Sequence, residues 1–459
     1  MAGLGASGVP VFASEPPSYL ARLSDLGARA ARPLRLLLPQ GSEDNLAPVV
    51  EAFRAASGCQ VEQQVVPFSD VATVLALDTL SGASDIDVAL PATFALPDLV
   101  RTGAIVPLSD FAAEHETPGL VDGMLYDKGN VYDGQRYGYQ TDGDVYVMFL
   151  NRRLFDSPAL RGGYEDRYGI ELKVPRTWEE LDRQMLHFDA PGAGRHGGTL
   201  FRSASLVVWE WWLRLHGKGV WPVAPDMTPA FEGPEALEAL NDLIAVTGVQ
   251  LENPDILGDR YGQGDAYANL GWGGTQKSLR VGSSLRDDLI FAAPPGGVID
   301  GHTVTMPYFN WGWSYVVSAG SPMQELSYLF CLMAVEPELS TVAVRRDQGF
   351  FDPFRREHYS DDIIGEVYTT EFLAIHHDVL ARAIPDFYLP GRTRYFARLG
   401  TWLARAASGA LDPKVALSEA TRDWRAITLE EGAQEQAAHW QALRTIYPEP
   451  LRSALRDVG

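Results

Sequence analysis

The chain has 459 residues, 46% hydrophobic and 21% charged, which is too long for one ordinary domain and unremarkable in composition for a globular protein. It has no run of about 18 apolar residues, so no helix is predicted to span a bilayer. The formal net charge of −22 argues against recognition of nucleic-acid phosphates, which needs basic patches, and suits a neutral or cationic partner.

Residues 1–13 are small and apolar and end in Val11-Phe12-Ala13, a small-x-small pattern like a signal-peptidase site, without the basic start of an export signal. The stretch 1–30 is read as a truncated export signal and N-terminal arm. Gly3-x-Gly5-x-x-Gly8 has no strand before it and is not taken as a dinucleotide fingerprint. Residues Leu34 to Leu38 predict a buried strand. A helix follows, with Leu46, Val49, Val50 and Phe53 at helical spacing, Ser42 as N-cap and Gly58 as the stop. A strand at 61–66, a helix at 69–80 and a strand at 85–90 complete a β-α-β-α-β order, which implies a parallel sheet covered by helices. Ligands of such sheets bind beyond the carboxyl ends of the strands, here at Gln40, Glu43 and residues 89–93.

Strands are predicted at 137–140 and 145–150, with the polar break Thr141-Asp142-Gly143-Asp144 between them read as a crossing between lobes. Thr177 and Glu180 form a capping box ahead of a helix to about Phe188. Residues 192–198 are read as a loop and 203–216 as an aromatic helix holding Trp209, Trp211 and Trp212. A strand then runs into the glycine turn Gly271-Trp272-Gly273-Gly274, and a further strand covers 289–292. In Phe309-Asn310-Trp311-Gly312-Trp313-Ser314-Tyr315 every second residue is aromatic, so a regular strand would line Phe309, Trp311, Trp313 and Tyr315 on one face. Ser321 and Gln324 predict a second capping box, and the chain from about 357 is mostly helical. Cys59 and Cys331 lie in helix-like contexts, predicting two buried free thiols; with two cysteines a four-thiolate zinc site is excluded.

Several of these passages, in this order, resemble the extracellular solute-binding proteins of ABC importers, in the carbohydrate-associated, maltose-binding-protein-like group. The carriers are Asp85–Val88 with Leu99–Leu108, Phe149–Phe155, Pro175–Leu181, Gly271–Gly274, and Trp311–Trp313 through Gly349–Pro353. The likeness covers roughly 33 to 430. It implies an α/β, two-lobed periplasmic-binding-protein fold of type II, with interwoven lobes, hinge strands and a ligand cleft between the lobes. The expected division is 31–141 plus 292–348 for the N-terminal lobe and 142–291 plus 349–459 for the C-terminal lobe. The resemblance further implies a periplasmic or extracellular protein that delivers its ligand to a membrane permease, as a monomer, without a cofactor.

Sugar recognition needs rings over C–H faces and oxygens for hydroxyl hydrogens. The candidate rings are Trp209, Trp272, Trp311, Trp313 and Phe351. The candidate polar groups are Gln40, Glu43, Asp142, Asp144, Asn310, Asp352 and Arg355, with Gly273 leaving backbone open beside Trp272. Arg355 in the site would admit an acidic sugar derivative. A sugar, polyol or sugar derivative is the expected ligand, and a cationic or acidic non-sugar solute on the same scaffold is the alternative. A carbohydrate-active enzyme is the least favoured reading: a glycoside hydrolase needs two carboxylates flanking the bond, and the sequence places no partner across from Asp142 and Asp144; no nucleophile elbow and no His-Glu-x-x-His occurs either. No metal is expected: His376 and His377 are the only adjacent pair, and neighbours on a helix face different ways.

Overall fold

The computed structural model describes residues 18–251 and 260–457. The expected signal remnant at 1–13 lies outside them. The chain divides into two compact units, Met1–Asp144 with Asn310–Thr370, and Val145–Phe309 with Glu371–Gly459. The unit edges fall at 144/145, 309/310 and 370/371, where the sequence reading had placed them at 141/142, 291/292 and 348/349. Two pairings account for the later edges. Tyr308–Phe309 pairs with Ile384–Pro385 in the second unit, and Phe351 is tied to the first unit through its N–H to Asn45 Oδ1, 3.1 Å.

The first unit holds a five-stranded sheet in the order Val61–Val66, Leu34–Pro39, Val88–Ala89, Ser314–Val317, Gly138–Gln140. The first three strands are parallel, and Ser314–Val317 runs antiparallel to both its neighbours. Leu34, Leu36, Leu37 and Leu38 are buried, as are Leu46, Val49, Val50 and Phe53 of the helix Glu43–Ser57, the expected amphipathic pattern, and Phe53 meets Phe330 edge-on at 5.1 Å. That helix ends at Gly58 with φ 73°, as its sequence predicts. Ser42 does not cap its start: the hydroxyl donates to the Pro39 carbonyl, 2.8 Å, and Glu43 Oε2 accepts from the Gly41 N–H, 2.6 Å. The second expected capping box is also absent. Ser321 accepts from the Met323 N–H and donates to the buried Asp87 carboxylate, and the helix starts at Gln324. Cys59 and Cys331 are both buried and free.

The second unit holds a four-stranded sheet in the order Leu289–Ala292, Val147–Asn151, Ala266–Gly271, His196–Gly198. The last of these is a strand where a loop was expected, paired parallel to Ala266–Gly271. The capping box at Thr177 and Glu180 forms, with both reciprocal bonds at 3.2 Å. The helix Val207–Gly217 is buried along its whole length. The helices Arg392–Ala407 and Pro413–Glu431 pack with it around Trp212, Phe387, Phe396 and Trp424. Gly400 permits this approach, because a Cβ there would sit 1.9 Å from the Ala204 carbonyl oxygen. Gly400→Ala is therefore expected to cost about 1–3 kcal/mol by overpacking, read as a lower denaturant midpoint.

The aromatic stretch is not one strand. Tyr308–Phe309 and Ser314–Val317 are separate, and between them Trp311 and Gly312 have φ of 72° and 63°. The chain passes from the second unit to the first between Phe309 and Asn310, and the two left-handed residues break the alternation there. The turn is fixed locally. Gly312 donates its N–H to Asn310 Oδ1, 3.1 Å, and accepts from the Thr93 N–H, 2.8 Å. A Cβ at Gly312 would lie 2.4 Å from the Asp142 carbonyl oxygen, so glycine is required there by space as well as by φ.

Candidate functional site

Two groups of side chains carry recognition chemistry, one in each unit. In the second unit, strand register builds a row of rings. Val147 faces Gly271 in an antiparallel pair, which sets Tyr146 opposite Trp272 at the strand ends. On its other side, Tyr146 donates its N–H to the Tyr308 carbonyl, 2.9 Å, beside the Val145–Phe309 bridge. The ring centroids follow the backbone: Tyr146 lies 4.6 Å from Trp272 and 5.7 Å from Tyr308, both tilted about 30°. Trp209 meets Trp272 edge-on at 5.7 Å and Tyr146 at 6.0 Å, and Phe201 closes the Trp272 end at 6.1 Å.

Trp272 stands at the N-terminus of the helix Gly273–Gly282, its N–H donated to Thr275 Oγ1, 3.1 Å. Gly273 puts no side chain next to it. Among the described residues, the buried Trp272 indole N–H has no hydrogen-bond acceptor. A buried donor in that state gains from any ligand oxygen that reaches it. Behind the row, burial and the nearby Asp386 carboxylate hold the Tyr308 phenol well above its ordinary range, so it stays protonated. Of the candidate rings, Trp209 and Trp272 are in contact. Tyr146, Tyr308 and Phe201 were missed, although Tyr146 and Tyr308 stand two residues from the crossings at 144/145 and 309/310, a symmetric placement that could have exposed them.

In the first unit, oxygens of Asp142, Asp144 and Asp352 lie within 4.8 Å of one another. Asp142 Oδ1 accepts from the Asp352 N–H at 2.6 Å, and Asp352 Oδ1 from the Tyr368 hydroxyl at 3.1 Å. Asp144 Oδ2 accepts from Asn310 Nδ2 at 3.1 Å. Burial first, then the neighbouring Asp352, holds the Asp144 carboxyl well above the ordinary carboxylate range, against the pull of the Asn310 amide. Its protonated form is a donor beside acceptor oxygens, the mixture that hydroxyl groups need.

Close to this turn, Trp313 packs on Phe350 at 5.4 Å, and a side chain at Gly41 would touch the Phe350 ring at 3.3 Å. The exposed Gln40 and half-buried Glu43 at the end of the first strand therefore share a neighbourhood with Trp313. Three other candidates are structural. Trp311, 2% exposed, is wedged against Gly129, where a Cβ would come within 2.6 Å of the indole. Phe351, 1% exposed, is pinned by Asn45 and by the Tyr368 hydroxyl on its carbonyl, 2.6 Å. Arg355 donates to the carbonyls of Leu120 and Val335 at 3.0 and 3.2 Å and pairs with Glu357. Its burial lowers the guanidinium from its ordinary value. The reading of Arg355 as an anion receptor is corrected on that ground: its fork is closed by backbone carbonyls.

No curated protein matches the sequence. Solved structures share the fold at low identity. One is a solute-binding protein of an ABC transporter from Agrobacterium radiobacter K84, in complex with ribitol (17% identity, TM-score 0.74, 86% of this chain and 99% of that one). A second is maltose-bound MalE3 of T. maritima (14%, TM-score 0.72, 86% and 100%). A third is a solute-binding protein from Agrobacterium vitis S4 with bound D-mannitol (15%, TM-score 0.72, 88% and 99%). The α/β class with interwoven segments expected from the sequence is the class these structures share. The family model for bacterial extracellular solute-binding proteins matches residues 41–331, more than half of the chain. The chain belongs to that family.

Proposed function

We propose that this protein is the capture component of an ABC importer, that it binds a sugar, polyol or sugar derivative, and that it hands the ligand to a membrane permease. The observation that carries the ligand class is Trp272 with Trp209 set edge-on at 5.7 Å, 6% and 8% exposed, backed by the buried rings of Tyr146 and Tyr308. An indole face suits the C–H face of a polyhydroxylated chain or ring. The solved relatives with ribitol, mannitol and maltose support the same class. The proposed ligand contacts are Trp209, Trp272 and Gly273 in the second unit, and Gln40, Glu43, Asp142, Asp144, Asp352 and Trp313 in the first. Trp311, Phe351 and Arg355 are proposed to position these groups.

The test is a thermal-shift panel of neutral sugars and polyols, sugar acids, quaternary amines and calcium. A specific ligand raises the melting temperature with the logarithm of its excess over Kd. The expected result is a shift with neutral polyhydroxylated compounds. A shift confined to quaternary amines would give the alternative reading, and a shift confined to calcium would make the three aspartates an ion site. The proposal includes no bond-making, so the bound ligand should be recovered unchanged; hydrolysis of chromogenic glycosides would overturn this. Membership of an extracellular family supports a periplasmic or extracellular location and a permease partner. A monomer is expected in light scattering.

A further inference from the structure

A cavity of about 680 Å³ lies wholly within the second unit. That volume is in the range of small-molecule sites. Its walls come from the helices Trp178–Phe188, Val207–Gly217 and Pro234–Ala245 and the segment 296–298. None of the aromatic row described above lines it. One side is bare backbone: a Cβ on Gly297 would fall 1.8 Å from the Gly217 carbonyl oxygen.

The charges in this cavity are unevenly matched. Arg214 is buried, lies 4.2 Å over the Trp178 ring, and is held by Asp182 at 2.6 and 2.7 Å and Glu210 at 2.9 Å. Arg202 offsets the second carboxylate by pairing with Glu210 at 2.6 Å. Arg183 and Glu179 face each other at 3.4 Å. Lys218 alone serves two carboxylates, Glu238 at 2.6 Å and Asp242 at 2.7 Å. Among the described residues, one negative charge is therefore left over at that end. The rim also carries exposed apolar surface from Leu186, 41% exposed, and Val298, 63% exposed.

We propose that this cavity is a second binding site, for an aliphatic di- or polyamine. An ammonium group would sit between Glu238 and Asp242, sharing them with Lys218, while its methylene stem lies on Leu186 and Val298. A compact ammonium can add to an incompletely neutralised carboxylate pair, and a flexible stem gains from apolar rim surface. A sugar would leave the excess charge unmatched.

Isothermal titration calorimetry with spermidine tests this, with 1,5-diaminopentane as the shorter cation and 1,5-pentanediol as its neutral counterpart. Spermidine is expected to bind at millimolar or lower concentration and the diol not at all. Glu238→Gln with Asp242→Asn should weaken spermidine at least tenfold and leave the response to sugars and polyols unchanged. Both side chains are largely exposed, so this variant should fold. Trp272→Ala should leave spermidine binding intact. Absence of spermidine binding, binding untouched by the double variant, or binding lost in Trp272→Ala would each overturn the proposal. The last result would place the amine at the aromatic row instead.

Discussion

Glu336→Gln should raise the melting temperature of the first unit at about pH 8 and leave it unchanged at about pH 4. Glu336 stands between the helices Gln324–Ala334 and Pro337–Val344, is 6% exposed, and has one carboxylate oxygen without a hydrogen-bond donor. Burial, and then the neighbouring Glu338, pushes its carboxyl up from 4.5 to about 7, against the opposing pull of Arg355 and the Tyr19 hydroxyl, with Glu116 adding to the rise. An unfolded chain ionises this group near 4.5, the folded one only near 7. The protonated form is the one the fold favours, so its contribution is fully present below about pH 4.5 and is lost as pH climbs toward 7.

Above that window the buried carboxylate costs about 2–3 kcal/mol, allowing for its partial contact with solvent. Glutamine keeps the shape and never ionises. At that magnitude the variant gains roughly 5–10 °C at alkaline pH in a unit of this size. Differential scanning calorimetry at several pH values measures it. A gain that is the same at pH 4 and pH 8 would show that packing, not ionisation, separates the two side chains.

Trp272→Ala should weaken the best neutral ligand of the thermal-shift panel by roughly 30- to 200-fold, about 2–3 kcal/mol, the size found when a central aromatic anchor is truncated. The residue meets Tyr146, Trp209 and Phe201 at once, so its removal opens the row as well as deleting a ring. Some loss of stability accompanies it, because the indole is 6% exposed and large-to-small changes leave a cavity. Trp272→Phe separates the two effects. It keeps a flat face but not the N–H, and should recover most of the stability and only part of the affinity. Titration calorimetry of both variants decides. Affinity within threefold of the parent in Trp272→Ala would remove this ring from the ligand site.

Much of the fold was legible in the residues. Leucine-rich Leu34–Leu38, the helical spacing of Leu46, Val49, Val50 and Phe53, and the Gly58 stop are local signals, and each element forms where its own side chains demand. The same holds for the Thr177 and Glu180 box. The position of Trp272 was legible for a related reason: the glycines beside it mark the end of a strand and the start of a helix, where it stands.

The alternation of Phe309, Trp311, Trp313 and Tyr315 misled because side chains record only the period that a regular backbone would give them. Trp311 and Gly312 turn left-handed, and what holds them there is Asn310, Thr93 and the Asp142 carbonyl, two of them well over a hundred positions away in sequence. Arg355 misled in the same way, since the carbonyls that occupy it belong to Leu120 and Val335. The sequence by itself determined most of the secondary elements, the family and which rings were available. Tertiary structure decided which rings stand in a row, because that depends on cross-strand register between Val147 and Gly271 and between Val145 and Phe309. Register is set by pairing over long separations, and no local periodicity encodes it.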